Sequence, residues 1–166
     1  HLHAVTSEFF PLASAPLLKL WGLRGLYVLP ALGFLAVLAS SAWLAWLLDR
    51  TRNAALVAGV AALGTPFLFY GLEFWEHMPA LGLSVTGVAL LLDAARRRPG
   101  RHSLMFPTFV AGLLFGFATT LRPESACFVL AVGLASRSLV HRPTWRSLAV
   151  AAAGMLVALV PLELYT

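Results

Sequence analysis

Cysteine is almost absent from the sequence, whose one cysteine, Cys127, lies inside an apolar run. A single cysteine cannot form a disulfide within the chain, and it cannot build a metal site from thiolates alone. The sequence therefore excludes the disulfide-stapled and zinc-cysteine classes of small domain.

Charged residues are also scarce. They make up 11% of the 166 residues, whereas hydrophobic residues make up 60% and the mean hydropathy is +0.83. A soluble domain carries about 25% charged residues, and no hydrophilic stretch here is long enough to fold separately. We predict a single membrane domain over 1–166. Because the chain opens with His1 and ends at Thr166 directly after an apolar run, we expect a fragment of a larger protein.

Several motifs of soluble enzymes are missing, including G-x-x-x-x-G-K, G-x-G-x-x-G and G-x-S-x-G. No element alternates basic and aromatic residues in the manner of a nucleic-acid groove. The net charge of +5 comes from short loops between apolar segments, and charge of that kind usually sets membrane topology. We expect no nucleic-acid partner.

Long apolar runs dominate what remains. Each is close to the length that crosses a hydrocarbon core of about 30 Å, and they occupy 26–48, 54–72, 76–93, 104–121, 123–137 and 147–164. Helices are expected, because an unpaired backbone polar group in lipid costs several kcal/mol and a helix pairs its own. The predicted fold class is all-α, a polytopic transmembrane bundle of about six helices over 26–166.

The first 25 residues differ from this pattern, since Pro11, Pro16, Lys19 and Arg24 interrupt an apolar run. We predict an outer interfacial segment over 1–25. Residues 9–22 are long enough for a short amphipathic helix on the outer leaflet, and a loop packed on the bundle is the alternative.

The basic residues divide unequally between the two ends of the predicted helices. Nine of the twelve Lys and Arg lie in three loops at one end, namely Arg50, Arg52, Arg96, Arg97, Arg98, Arg101, Arg137, Arg142 and Arg146. The other end holds three basic residues and all five glutamates. The positive-inside rule makes the nine-Arg end cytoplasmic, and a multi-pass protein of the plasma (inner) membrane is expected.

The first candidate site is the stretch from Glu73 to Pro79, which lies at the outward ends of two apolar runs. The apolar remainder of the second run is 15 residues long, so Glu76 and His77 must lie near the membrane boundary, with Pro79 in the first helical turn. On a continuing helix Glu73, Glu76 and His77 would share one face. Ionisable residues at that depth indicate a functional site.

Two other interpretations of this stretch stay open. In one, the glutamates of a hairpin turn reach water while Trp75 serves in an aromatic belt. In the other, the two glutamates and His77 bind a metal. The spacing fits neither H-E-x-x-H nor the Glu-x-x-His of di-iron bundles, because residue 74 is Phe and residue 80 is Ala. We predict no metal site and no cofactor.

The second candidate site is Leu121 to Glu124, again between two apolar runs at the outward end. Arginine stays charged when partly desolvated, and its planar fork of donors suits a phosphate or a carboxylate. Arg122, with Glu124 beside it, is therefore a candidate phosphate-binding residue. The alternative is an ion pair of Arg122 with Glu124 or Glu76 that only fixes two helices.

The opening loop is the third candidate, with His1, His3, Thr6, Ser7 and Glu8. A histidine near an acid can act as a general base. A solvated loop is the alternative, and Glu8 is the one acid in the loop.

Three stretches together resemble the C-type fold of integral membrane glycosyltransferases, the superfamily of protein O-mannosyltransferases and bacterial lipid-linked sugar transferases. They are the proline-rich approach from Phe10 to Leu18, the helix entry from Glu76 to Ala80, and Leu121 to Glu124 between two helices. Much of the likeness lies in helix order and loop polarity, so it points to a superfamily.

The resemblance implies an enzyme that moves a sugar from a polyprenyl-phosphate donor to an acceptor outside the cytoplasm, with inversion at the anomeric carbon. Arg122 would stabilise the leaving phosphate, while Glu76 and His77 would shape the carrier or acceptor site. The acidic pair that the family places after its first membrane helix is not present here. We therefore expect the general base upstream of His1, with Glu8 as the other candidate.

Two other functions compete with this expectation. A transporter would line a path with the same outward charges, and a non-catalytic assembly subunit would use them to hold a partner. A transporter is favoured by ionisable residues near mid-helix, and the centres of the six runs offer only Ser, Thr and Gly. The lack of ionisable residues at the centres of the runs favours an enzyme acting at the membrane interface.

Overall fold

The computed structural model describes residues 9–49, 53–96, 105–139 and 145–163, and every regular element in those ranges is helical. In chain order the helices are α1 Phe9–Trp21, a 3₁₀ helix Gly22–Tyr27, α2 Val28–Asp49, α3 Ala54–Leu63, α4 Phe67–Leu72, α5 His77–Arg96, α6 Met105–Leu121, α7 Ser125–Leu139 and α8 Trp145–Glu163. The all-α prediction is confirmed.

One predicted helix is divided. The run 54–72 forms α3 and α4, which are separated at Gly64, Thr65 and Pro66. Proline offers no backbone N–H and disfavours the helical conformation of the residue before it, so α3 ends before Pro66. Pro66 then serves as the N-cap of α4, with the Tyr70 N–H donating to its carbonyl at 3.1 Å. The prediction of one unbroken helix here is wrong.

The bundle is built around a row of four helices in the order α2, α5, α6, α8, in which each packs on the next. Small residues let these helices approach closely. A Cβ at Gly33 of α2 would overlap the backbone of Met78 and Pro79 in α5, and one at Gly112 of α6 would overlap the Ala151 carbonyl in α8. Close approach of this kind is typical of helix pairs in membranes.

Polar groups inside the row find partners between helices. The Ser40 and Thr86 hydroxyl oxygens, on α2 and α5, lie 2.8 Å apart, and the Thr86 hydroxyl donates to the Gly82 carbonyl at 2.7 Å. α3 packs on α2, and α7 packs on α5 and α6. α5 is thus held on several sides, which fixes the position of its first residue, His77.

Within the described residues, two stretches are long and apolar enough to cross a membrane. They are Phe9–Leu48, which joins α1, the 3₁₀ helix and α2, and His77–Arg96, which is α5. α3, α6 and parts of α7 and α8 are shorter apolar helices. Large apolar side chains are exposed on most of them, with Leu63 81% and Phe106 75% exposed. Exposed apolar surface on helices of this length is typical of a membrane-associated protein.

Candidate functional site

The first candidate stretch is a turn that ends one helix and begins another. Glu73 ends α4 in an extended conformation, and its carbonyl accepts the Trp75 N–H at 2.9 Å. The Glu76 carbonyl accepts the Ala80 N–H at 3.0 Å, so α5 begins at His77. Pro79 lies in the first turn, as predicted.

Glu73, Glu76 and His77 do not share a helical face, so that expectation is wrong. A helix running through all three would place the ring of Pro79 against the carbonyl of residue 75, a clash that proline avoids only near a helix start. Glu76 is instead buried at the start of α5, with 6% of the residue exposed.

His77 lies in an aromatic enclosure. The Tyr70 ring stacks on the imidazole with 5.4 Å between centroids and 14° between planes, and the Trp75 ring lies 4.4 Å away, tilted by 44°. The Nδ1 atom of His77 is buried and has no hydrogen-bond partner among the described residues. The imidazole is thus held by ring contacts, in an orientation that is set without a polar partner at Nδ1.

Arg122 lies in the tight turn between α6 and α7. Its N–H donates to the Ala118 carbonyl at 2.9 Å, and its own carbonyl accepts the Ser125 N–H at 2.9 Å. Two nitrogens of the guanidinium face the Glu124 carboxylate, and the Nη2–Oε1 and Nε–Oε2 distances are each 3.5 Å. Charge-assisted hydrogen bonds usually measure about 2.7–2.9 Å, so this pair is loose.

The loose pair leaves the carboxylate largely in water. The side chain of Glu124 is 71% exposed, against 29% for Arg122. The backbone N–H of Glu124 and the Arg122 guanidinium lower the pKa of the Glu124 carboxyl below its usual value. Any stabilisation from this group is therefore present above its unfolded-state pKa and is lost as pH falls through the lowered folded-state pKa.

The two candidate stretches meet at an open cleft of about 230 Å³. Its lining residues come from the starts of α5 and α7 and the turn before α7, and they are His77, Ala80, Leu81, Ser84, Arg122, Glu124, Ser125 and Phe128. α5 and α7 both begin at this cleft, and the dipoles of helix N-termini favour negative charge. Arg122 adds a positive charge beside them, which faces the Glu124 carboxylate.

The predicted site residues are partly brought together. His77, Arg122 and Glu124 line the cleft, whereas Glu73 and Glu76 lie in the adjoining turn and are not part of its lining. The predicted ion pair of Arg122 with Glu124 is present. Glu8 and the rest of the opening loop lie outside the described residues.

Sequence reasoning missed the remaining lining residues, although a signal for some of them was available. His77, Ala80, Leu81 and Ser84 have the i, i+3, i+4, i+7 spacing of one helical face, and α5 places all four along the cleft. Phe128 had no such signal, because it depends on how α7 packs beside α5.

The cleft is lined by both polar and apolar residues. Arg122, His77, Ser84 and Ser125 supply donors for an anion, while Ala80, Leu81 and Phe128 offer apolar contact. Among the described residues, no three His, Cys, Asp or Glu side chains are grouped to hold a metal ion. The arrangement suits an anionic head group attached to an apolar chain.

No protein-family model matches the chain, and searches of curated proteins and of solved structures gave no match either.

Proposed function

We propose that this chain is the membrane part of a C-type glycosyltransferase that moves a sugar from a polyprenyl-phosphate donor to an acceptor on the non-cytoplasmic side. The observation that supports this most is the cleft in which Arg122 and His77 meet beside apolar residues. One amphipathic cleft can hold both the phosphate and the first part of an apolar carrier.

The proposed membrane arrangement is multi-pass, with the cleft at the outer face of the plasma membrane. α5 runs from the cleft at His77 to Arg96, and α6 returns from Met105 to Leu121 beside the cleft. The cleft therefore lies at the opposite end of α5 from Arg96 and of α6 from Met105. The sequence between Arg96 and Met105 contains three more arginines, and the positive-inside rule makes that end cytoplasmic.

Arg122 binds the donor phosphate in this proposal. Its Nη2 and Nε donors already face the two carboxylate oxygens of Glu124, and two phosphate oxygens can take the same positions. The side chain of Glu124 is exposed and loosely held, so it can turn away when a phosphate enters. The charge that builds on the leaving phosphate then develops beside a fixed cation.

His77 and Glu76 shape the site next to the phosphate. His77 presents a ring held by Tyr70 and Trp75, and the buried Glu76 fixes the start of α5 through its carbonyl. The general base is assigned to residues upstream of His1, with Glu8 as the other candidate. No metal or cofactor enters the proposal.

Cysteine labelling tests the proposed orientation. In a Cys127→Ala background, Glu124→Cys is expected to react with an impermeant maleimide applied from outside, whereas Arg96→Cys is expected to react only after the membrane is opened. Glu124 and Arg96 are both exposed and lie near opposite ends of the bundle. Labelling of residue 96 from outside, with residue 124 spared, would show the inverse orientation and remove the basis for an outward-facing site.

Substitution of the helix entry tests whether it forms part of a site. His77→Ala is expected to reduce sugar transfer by about two- to tenfold, because one hydrogen bond contributes about 0.5–1.5 kcal/mol. Glu76→Gln should reduce transfer too, because the Glu76 carboxylate acts electrostatically on the neighbouring His77. Arg96→Gln, at the other end of α5, should not. The measurement is transfer per mole of folded full-length protein in membranes, with the residues upstream of His1 included. Full activity in both entry variants would favour a plain hairpin turn.

A further inference from the structure

α1 and the 3₁₀ helix form a compact unit at the cleft end of the bundle. Phe10 and Ser14 are the buried residues of α1, and the Phe10 ring contacts Phe74 with 4.8 Å between centroids. Phe74 belongs to the turn that leads into α5, and α1 also contacts α6. α1 therefore lies beside the turn that borders the cleft.

Two glycines fold the 3₁₀ helix back against α1. Gly22 has a φ of +60°, which turns the chain directly after Trp21. Gly25 approaches the Leu17 carbonyl so closely that a Cβ at this position would overlap it. We call Phe9–Tyr27 the amphipathic hook. Because the backbone is fixed at two points, the hook presents a defined outer surface.

That outer surface is apolar with a basic component. Leu20, Trp21 and Leu23 are 71%, 59% and 75% exposed. Lys19 and Arg24 are exposed as well, and Phe9–Tyr27 contains no acidic residue. Apolar and aromatic side chains beside basic ones are the composition of a segment that lies in a membrane interface.

We propose that the amphipathic hook binds the head groups of anionic phospholipids, with Lys19 and Arg24 on the lipid phosphates and the exposed Leu and Trp side chains among the acyl chains. Charge complementarity selects this occupant, because two cations with no acid in the hook attract a net negative lipid more than a zwitterionic one. The inference rests on the proposed membrane location and does not depend on the transfer reaction.

The expected size of the effect follows from the surface potential. A basic residue near an anionic membrane surface contributes about a fivefold gain in affinity, and two contribute roughly 25-fold. Lys19→Gln and Arg24→Gln should each weaken binding of phosphatidylglycerol about fivefold, and the double variant should weaken it by the product.

Native mass spectrometry of the purified full chain, titrated with phosphatidylglycerol or phosphatidylcholine, measures this binding. The matched control is Arg96→Gln with Arg146→Gln, which removes two exposed arginines outside the hook. We expect the hook variants to lose affinity for phosphatidylglycerol, the control pair to keep it within twofold, and phosphatidylcholine binding to stay the same in all. The single variants provide the same test if the double variant does not fold.

Phosphatidylglycerol affinity that is unchanged in the folded hook variants, or reduced equally in the control pair, would overturn the inference. Carbonate extraction of membranes separates this failure from that of the proposed function. A chain that carbonate releases is not integral to the membrane, and both proposals then fail. A chain that stays in the membrane, with lipid affinity insensitive to Lys19 and Arg24, removes the lipid site alone.

Discussion

Replacing Arg122 with alanine is expected to weaken the binding of polyprenyl phosphate by about ten- to a hundredfold. A charge-assisted hydrogen bond contributes roughly 1.5–3 kcal/mol, and about 1.4 kcal/mol corresponds to a factor of ten in affinity. Arg122→Lys should restore only part of the loss, because it keeps the positive charge but loses the two-pronged geometry. The measurement is a titration of the detergent-solubilised protein with polyprenyl phosphate.

Glu124→Gln distinguishes phosphate binding from a purely structural ion pair. If Arg122 served only to hold Glu124, Arg122→Ala would lower the melting temperature and adding Glu124→Gln would restore it, with donor affinity unchanged throughout. That result would rule out the phosphate role. We expect instead that Arg122→Ala weakens donor binding and barely changes the melting temperature. The pair has contacts of 3.5 Å and a mostly exposed carboxylate, so it contributes little stability.

Gly33→Ala is expected to destabilise the protein by about 1–3 kcal/mol, the usual range for overpacking a close contact. Its added methyl group would meet the backbone of Met78 and Pro79, which cannot move without moving the first turn of α5. Because His77 begins that turn, the variant should also bind polyprenyl phosphate more weakly. Chemical denaturation in detergent and the same titration measure the two effects.

Gly59→Ala is the matched control for this change. Gly59 also lies within a helix, and a Cβ there would meet nothing within 4 Å. Alanine favours the helix over glycine by roughly 0.5–1 kcal/mol, and this preference applies to both variants. The difference between the unfolding free energies of Gly33→Ala and Gly59→Ala therefore measures the contact between α2 and α5. Equal free energies would show that this contact is not tight.

The helical fold could be predicted from hydropathy because a bilayer leaves the backbone few choices. The run 26–48 corresponds to α2 Val28–Asp49, and 104–121 corresponds to α6 Met105–Leu121. The division of 54–72 depends on Pro66. The presence of a proline predicts a helix break at this position, but hydropathy alone does not. Helix order within the row was not predictable, because it depends on small residues that meet across helices, such as Gly112 and Ala151.

The candidate site could be predicted in outline from residues that interrupt apolar runs. Arg122, Glu124 and His77 do so, and they line one cleft. Glu76 interrupts a run as well, yet it is buried next to the cleft. It lies in the turn before Pro79, and that turn packs against the bundle. Which polar residue faces the cleft is decided by the start of the helix, and that start follows from Pro79.

In the proposed function, the cleft between the starts of α5 and α7 holds a lipid-linked phosphate. Photo-crosslinking with a polyprenyl phosphate that bears a diazirine near its phosphate tests this most directly, with adducts mapped by peptide sequencing in the membrane-embedded protein. We expect adducts on Ala80–Ser84 and Arg122–Phe128 that excess unlabelled polyprenyl phosphate prevents and Arg122→Ala reduces. Adducts confined to other helices, or equal labelling in Arg122→Ala, would contradict it.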